Sequence, residues 1–368
     1  MTLAEVDSGT RAMLERFGFD ESLFEALRER VARGELSPSA NVVGGVLEPP
    51  DSGELTRLPE PREPRFDEAR SAGLEALRAG EVAQVVLAGG MATRFGGVVK
   101  AVLEAVDGLS FLEAKLAATR ALEDAVGAEV PAALMTSFAT DDAVRRHVAE
   151  RALGDPVCFH QFVSLRLEPD GELFRDDDGT PSLYAPGHGD LFRALRRSGT
   201  LDSFRERGVR VVTVSNVDNV GARVDPLVVG MHIVSGRPVT SEVARKAGDL
   251  GGAPVRVDGK LQLLEGPRFP AGFDQDLVPV FNTNTAVLDL DALDAEYDLT
   301  WMYVEKDVGG RRAVQLERVY HEVTRFVPTT YLVVPRRGPR GRFFPIKTPD
   351  DLVAAQDDLR ELLAASPV

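Results

Sequence analysis

From residue 82 onward, short apolar runs alternate with segments of helical periodicity, and this order constrains the fold more than any other feature of the chain. VAQVVLAG (82–89) is followed by SFLEAKLAATRALEDAV (110–126), then VPAALMTSF (130–138), then DDAVRRHVAERAL (141–153). A helix between two apolar strands carries the chain back so that the second strand lies parallel to the first. The alternation predicts an α/β fold, a parallel sheet covered by helices. A further run, RVVTVSNVDN (210–219), reads as a strand ending in Asn216 and Asp218. In open parallel sheets ligands collect beyond the carboxyl ends of strands. That strand end and the glycine-rich stretch after VAQVVLAG both occupy such positions.

From residue 231 the pattern changes. PVTSEVAR, APVRVDGKLQLLEG and VPVFNTNTAVLDL read as strands, with Asp258-Gly259 as a hairpin signal. They predict a mixed sheet that extends the first. Upstream, residues 1–35 read as helical, because Leu14, Phe17, Leu23, Leu27 and Val31 can share an apolar stripe broken at Gly18. Residues 36–66 are rich in Pro, Gly, Ser and charge and read as an extended connector, followed by the short helix FDEARSAGLEALRAG. The segment IKTPDDLVAAQDDLRELLAAS reads as one amphipathic helix, with Thr348 or Asp350 as cap and Pro349 in its first turn.

Charge and composition exclude several functions. The net charge is −15 and no Lys/Arg-rich stretch compensates, so the footprint of a nucleic-acid binder is absent. Cys158 is the single cysteine, which excludes an internal disulfide and a cysteine-rich zinc site. In DPVCFHQF it reads as a small buried hydrophobe. No apolar run approaches the ~20 residues of a membrane span. The start MTLAEVDSGTRAML lacks a basic region and an apolar stretch, so a cytoplasmic protein is expected.

Residues 85–100 read VVLAGGMATRFGGVVK. Glycines after a strand let backbone N–H groups turn toward a phosphate, and a nearby cation neutralises charge. The loop is neither G-x-x-x-x-G-K-[ST] nor G-x-G-x-x-G, which removes the support for a P-loop or for an NAD-dependent oxidoreductase. A tight turn packed for structural reasons stays open as an alternative.

LAGGMATRFGGVVK resembles the nucleotide-binding loop of UTP-dependent sugar-1-phosphate uridylyltransferases of the eukaryotic UDP-glucose pyrophosphorylase type. Other stretches resemble that family in its own order: FHQ (159–161), YAPGHGDLF (184–192), VSNVDNVGA (214–222), EVARK (242–246), VFNTNTAV (280–287), VQLE (314–317) and RFFPIKTPDDL (342–352). The resemblance spans about residues 82–352. It implies a Rossmann-like, GT-A-like nucleotidyltransferase fold, a mixed sheet flanked by helices. The helical segment and connector would occupy 1–75, the nucleotidyltransferase domain 76–335, and a segment with Lys347 and the terminal helix 336–368. There are three departures. Ala92 stands where the family has a loop glycine. The spacing from Gly96 to Lys100 is one residue shorter than in the eukaryotic pattern. The stretch after RFFPIKTPDDL leaves no room for the family's C-terminal β-helix, so a monomer or small homo-oligomer is expected.

The implied reaction transfers UMP from UTP to glucose-1-phosphate and releases pyrophosphate, with Mg²⁺ bridging phosphate oxygens. Such transfer depends on positioning and electrostatics. By resemblance, Gly89, Gly90 and Thr93 would cradle the UTP phosphates, Leu87 would belong to the same nucleotide site, and Arg94 and Lys100 would meet the triphosphate. Asp218 would hold Mg²⁺ beside Asn216. Lys246 and Lys347 would converge on the sugar phosphate and α-phosphate. Gln161 offers a donor and an acceptor to the uracil edge, and Gly187 would let the base approach the backbone. His188, in a loop read as exposed, would bond the sugar or a phosphate, and Glu265 and Asn284 the sugar hydroxyls. Trp301 and Tyr303 read as core. His147, His160, His232 and His321 carry no assignment. An N-acetylhexosamine-1-phosphate substrate and a nucleotide-sugar-binding protein without turnover stay open as alternatives.

Overall fold

The computed structural model describes residues 6–92, 95–249, 251–344, 346 and 348–365. Its centre is an eight-stranded sheet. In chain order the strands are β1 (Leu55–Arg57), β2 (Val82–Leu87), β3 (Ala132–Thr136), β4 (Val157–His160), β5 (Val211–Asn216), β6 (Val239–Arg245), β7 (Val280–Asp289) and β8 (Thr329–Val334). From one edge to the other they lie in the order β1, β8, β6, β7, β5, β2, β3, β4. β7 runs antiparallel to both of its neighbours, and the other adjacent pairs are parallel. The expected mixed α/β sheet is therefore present, with β6 and β7 extending its parallel half.

The helices used below are α1 (Ser8–Arg16), α2 (Glu21–Ala32), α3 (Pro64–Arg78), α4 (Phe111–Val126), α5 (Asp141–Glu150), α6 (Leu191–Arg197), α7 (Pro226–Ser235), α8 (Pro349–Ala354) and α9 (Gln356–Ala364). Both faces of the sheet are covered, and for that reason β2 is buried along its whole length. Its one polar residue, Gln84, is satisfied by a 2.8 Å hydrogen bond to Thr119 Oγ1 on α4. Ser110 caps α4 and Glu113 closes a capping box, while Gly127 ends the helix in the left-handed region at φ 74°. On the same face α3 and α7 touch backbone to backbone. A Cβ on Gly230 would lie 1.6 Å from the Ala69 carbonyl oxygen, and one on Gly73 would lie 1.8 Å from that of Pro226. Only glycine permits this approach.

Four sequence expectations need correction. Residues 36–66 are not simply an extended connector: 38–41 form a helical turn and 55–57 supply the edge strand β1. The hairpin through Asp258-Gly259 does form, but it pairs with Leu47–Glu48 in a separate three-stranded sheet instead of lengthening the main one. The terminal amphipathic segment is two helices, α8 and α9, broken at Ala355, with Thr348 as the cap. Cys158 on β4 is half-buried, because β4 is the edge strand. Helices α1 and α2 place Leu14, Phe17, Phe24, Leu27 and Val31 in a cluster with Val163, Leu165, Tyr303 and Leu316. Among the described residues no helix is long and apolar enough to cross a membrane.

Candidate active site at the strand ends

The carboxyl ends of β2 and β5 are adjacent, with Leu87 and Asn216 in register. After β2 the chain passes Gly89-Gly90 and forms a small hairpin in which Met91 and Ala92 pair with Val99 and Val98. Gly96 and Gly97, at φ 82° and 78°, turn it in the left-handed region. The hairpin returns Lys100 to the sheet, where its backbone N–H donates to the Gly90 carbonyl at 3.3 Å. The Lys100 ammonium pairs with the carboxylate of Asp218, in the loop after β5. Thr93, Arg94 and Lys347 lie outside the described residues.

Gly89 faces Gln161. A Cβ there would lie 2.1 Å from Gln161 Nε2, so the glycine makes room for the amide. Ser137 Oγ donates to the Gly89 carbonyl at 2.9 Å, and the Gln161 N–H donates to the Thr136 carbonyl at 2.9 Å. Gln161 is buried, and its Oε1 has no hydrogen-bond partner among the described residues. A buried acceptor of this kind is costly to leave unmatched.

A second cluster forms where β7 bulges. Glu242 pairs with Thr285 and Val243 with Asn282, so Thr283 and Asn284 are extra residues on β7. Asn284 has φ 56°, a left-handed conformation that asparagine tolerates. The bulge aims its side chain at β5, where Nδ2 donates to Asn216 Oδ1 at 2.8 Å. Asn284 Oδ1 lies 3.1 Å from His321 Nδ1, and His321 Nε2 donates to Glu265 Oε1. The His188 ring lies 5.6 Å from that of His321 and 5.3 Å from that of Tyr320. The Tyr320 backbone N–H donates to His188 Nδ1 at 3.2 Å, so in the neutral ring the proton is on Nε2. Burial, reinforced by His321, pushes the His188 pKa down to about 3. At Glu265 burial pushes upward, but His321 outweighs it and the carboxyl titrates below its ordinary value.

The structure thus gathers Asn216, Glu265, Asn284 and His188, and it gathers Lys100 with Asp218. It also adds His321, which sequence reasoning missed: YHE carries no motif, and only the register of β7 brings Asn284 to that imidazole. The expectation of an exposed His188 needs correction, since the residue is half-buried in a 3-10 turn (188–190) against Tyr320. Gly187, at φ 98°, faces the Arg318 carbonyl, which a Cβ would approach to 2.7 Å. Its glycine therefore serves a chain-to-chain contact. Asp190, fully buried, accepts from Arg318 Nη2 at 2.6 Å and from the Phe162 N–H at 3.0 Å. It fastens the 187–190 turn to the segment after Gln161. Burial raises its pKa, and Arg318 opposes that shift. The Arg318 guanidinium stacks 4.0 Å above the Trp301 ring, so Trp301 supports the site's wall in addition to packing the core. Tyr303 is buried as expected.

Lys246 is not drawn into either cluster. Its ammonium donates to the Gln275 carbonyl, and its backbone N–H to that of Pro279 at 3.0 Å. The segment before Lys347 is firmly held. Arg342 is buried and donates twice, each at 2.6 Å, to the fully buried Glu242. Asn219 donates to the Arg342 carbonyl at 3.0 Å and accepts from the Phe344 N–H at 3.1 Å.

No group of three or more His, Cys, Asp or Glu among the described residues could cage a metal ion. Asp218 offers one partly exposed carboxylate that already neutralises a cation, Lys100. That donor set fits Mg²⁺, which takes one or two carboxylates and completes its shell with phosphate and water.

The fold recurs in the UDP-N-acetylglucosamine pyrophosphorylase of Trypanosoma brucei, 20% identical, with a TM-score of 0.78 over 96% of this chain and 80% of that one. It recurs in a mutant UDP-glucose pyrophosphorylase of Leishmania major solved with UDP-glucose, 24% identical, with a TM-score of 0.73 over 96% and 80% of the two chains. Among curated sequences, the UTP–glucose-1-phosphate uridylyltransferase of Solanum tuberosum is 31% identical over 295 residues, 75% of this chain and 61% of that protein. The enzyme of the same name from Saccharomyces cerevisiae is 29% identical over 308 residues, 77% of this chain and 60% of that protein. The chain therefore spans about three-fifths of the length of these relatives. The sequence model of the UTP–glucose-1-phosphate uridylyltransferase family matches residues 61–366, and the chain belongs to that family.

Proposed function

We propose that this chain transfers UMP from UTP to glucose-1-phosphate in a magnesium-dependent reaction that yields UDP-glucose and pyrophosphate. The observation that carries the reading is the meeting of Lys100 and Asp218 at adjoining strand ends, in a chain whose family match runs from 61 to 366. The sugar-phosphate oxygen attacks the α-phosphorus, the bond to the β-phosphate oxygen breaks, and pyrophosphate leaves. Both reactants are anionic, so the protein's task is alignment and charge neutralisation.

The backbone at Gly89 and Gly90, with Thr93, Arg94 and Lys100, holds the triphosphate. Gln161 Oε1, without a partner among the described residues, accepts from the uracil imide N–H. His188, neutral, offers Nε2–H to a sugar or phosphate oxygen across the physiological range. Asn216, Asn284 and Glu265 take sugar hydroxyls with the lone pairs and N–H groups that their mutual bonds leave free. With the Lys100 ammonium on the triphosphate, Asp218 would be free to hold Mg²⁺, which would supply charge neutralisation at the phosphates. Lys246 reaches the phosphates only by leaving the Gln275 carbonyl, and the phosphate role of Lys347 rests on the family resemblance alone.

The test is pyrophosphate release from UTP with Mg²⁺, comparing glucose-1-phosphate with N-acetylglucosamine-1-phosphate. Release with the glucose compound supports the reading. Release only with the N-acetyl compound keeps the chemistry and overturns the substrate. UTP binding without release from either would make the chain a binding protein.

A further inference from the structure

Lys115 is a buried cation that the proposed chemistry does not use. It sits on α4 and is 3% exposed. Its ammonium donates to Ser215 Oγ at 2.6 Å and to the Ala222 carbonyl at 2.7 Å. Both acceptors are neutral. Burial pushes its pKa down to about 7, the nearby Arg342 adds to the shift, and Asp218 and Glu242 act against it. A buried ammonium without a contacting carboxylate is costly.

What the ammonium touches gives it a use. Ser215 is the residue before Asn216 at the end of β5, and Ala222 lies beyond the loop that carries Asp218. One side chain therefore ties the two ends of that loop together from beneath the sheet. On its other side Asn219 ties the loop to Arg342 and Phe344. The loop that carries Asp218 is thus anchored at its base and its middle.

We propose that Lys115 is a positioning residue that fixes the Asp218 loop and so sets how tightly the site takes its divalent cation. The proposal rests on the uridylyltransferase reading and on Asp218 as the metal ligand. Groups that orient a ligand from behind it change metal affinity by roughly 10- to 100-fold when removed.

The experiment uses the full chain carrying Lys115→Met, which keeps the side chain's length and removes its donors. Mn²⁺ binding is read by electron paramagnetic resonance in the presence of UTP, and amide exchange is read over residues 216–222. The expected result is Mn²⁺ affinity lower by about ten-fold or more and faster exchange confined to that loop. The KM for glucose-1-phosphate and the Tm are expected to hold. Ser215→Ala removes one acceptor and is expected to move the same readouts in the same direction, less far. It carries the test alone if Lys115→Met does not fold. Unchanged Mn²⁺ affinity and loop exchange would overturn the proposal. So would a lowered Tm with exchange accelerated throughout the chain, the mark of an ordinary core residue. A wild type that binds Mn²⁺ and UTP but releases no pyrophosphate would defeat the functional reading, while the comparison of variants would still judge Lys115.

Discussion

The ammonium of Lys100 rests on the carboxylate of Asp218, joining the hairpin after β2 to the loop after β5. Each group occupies the other in the structure, and the proposed reaction needs both elsewhere, Lys100 at the triphosphate and Asp218 at Mg²⁺. Nucleotide and metal should therefore bind interdependently. Lys100→Met removes the cation but leaves Asp218 free. We expect kcat to fall by about 10²- to 10³-fold, the scale on which one preorganised electrostatic group acts, with a raised KM for UTP. Initial rates at varied UTP check this, and an unchanged kcat would remove Lys100 from the chemistry.

His321 links Asn284 to Glu265 without being a candidate ligand in the sequence reading. His321→Gln keeps polarity but cannot hold both partners in the same geometry. The KM for glucose-1-phosphate is expected to rise about ten-fold, roughly 1.4 kcal/mol of uniform binding, with the KM for UTP unmoved. Equal effects on both substrates would place His321 in the general scaffold.

His188 makes a prediction about acid. Its pKa lies near 6.5 in the unfolded chain and is lowered to about 3 in the fold by burial. Between these values the unfolded state binds more protons, so stability falls as pH drops through this window and is unaffected above it. His188→Gln should flatten the decline between pH 6.5 and 3 relative to wild type. Denaturant unfolding at a series of pH values measures it, and parallel curves would contradict the burial account.

The contact between α3 and α7 bears on stability alone. A methyl group on Gly230 would meet backbone, not a side chain that can turn aside. Gly230→Ala should cost about 2–3 kcal/mol, as overpacking does, and lower Tm while leaving the KM for UTP unchanged. A Tm equal to wild type would mean that the helices can separate freely.

The central sheet was legible because burial on both faces leaves long apolar runs, as in β2 and β5. Strand β1 was not, because an edge strand of three residues, Leu-Thr-Arg, carries no periodicity to separate it from the Pro- and Gly-rich chain around it. The residues of the two clusters could be picked out by type and order, since Lys100, Asp218, Asn216 and Asn284 lie in recognisable stretches. His321 and Lys115 were hidden for another reason. Each gains its meaning from a partner remote in sequence, Glu265 for one and Ala222 for the other. Lys246 shows the converse: its stretch was recognisable, but its side chain points to the Gln275 carbonyl.

The most direct test of the account is pyrophosphate release from UTP and glucose-1-phosphate by wild type and Asp218→Asn, side by side, at saturating Mg²⁺ and again with chelator. The account predicts magnesium-dependent release by wild type and a loss of about 10²-fold or more in the variant, with little change in Tm. Release by Asp218→Asn at the wild-type rate, or release by wild type that survives chelation, would contradict it.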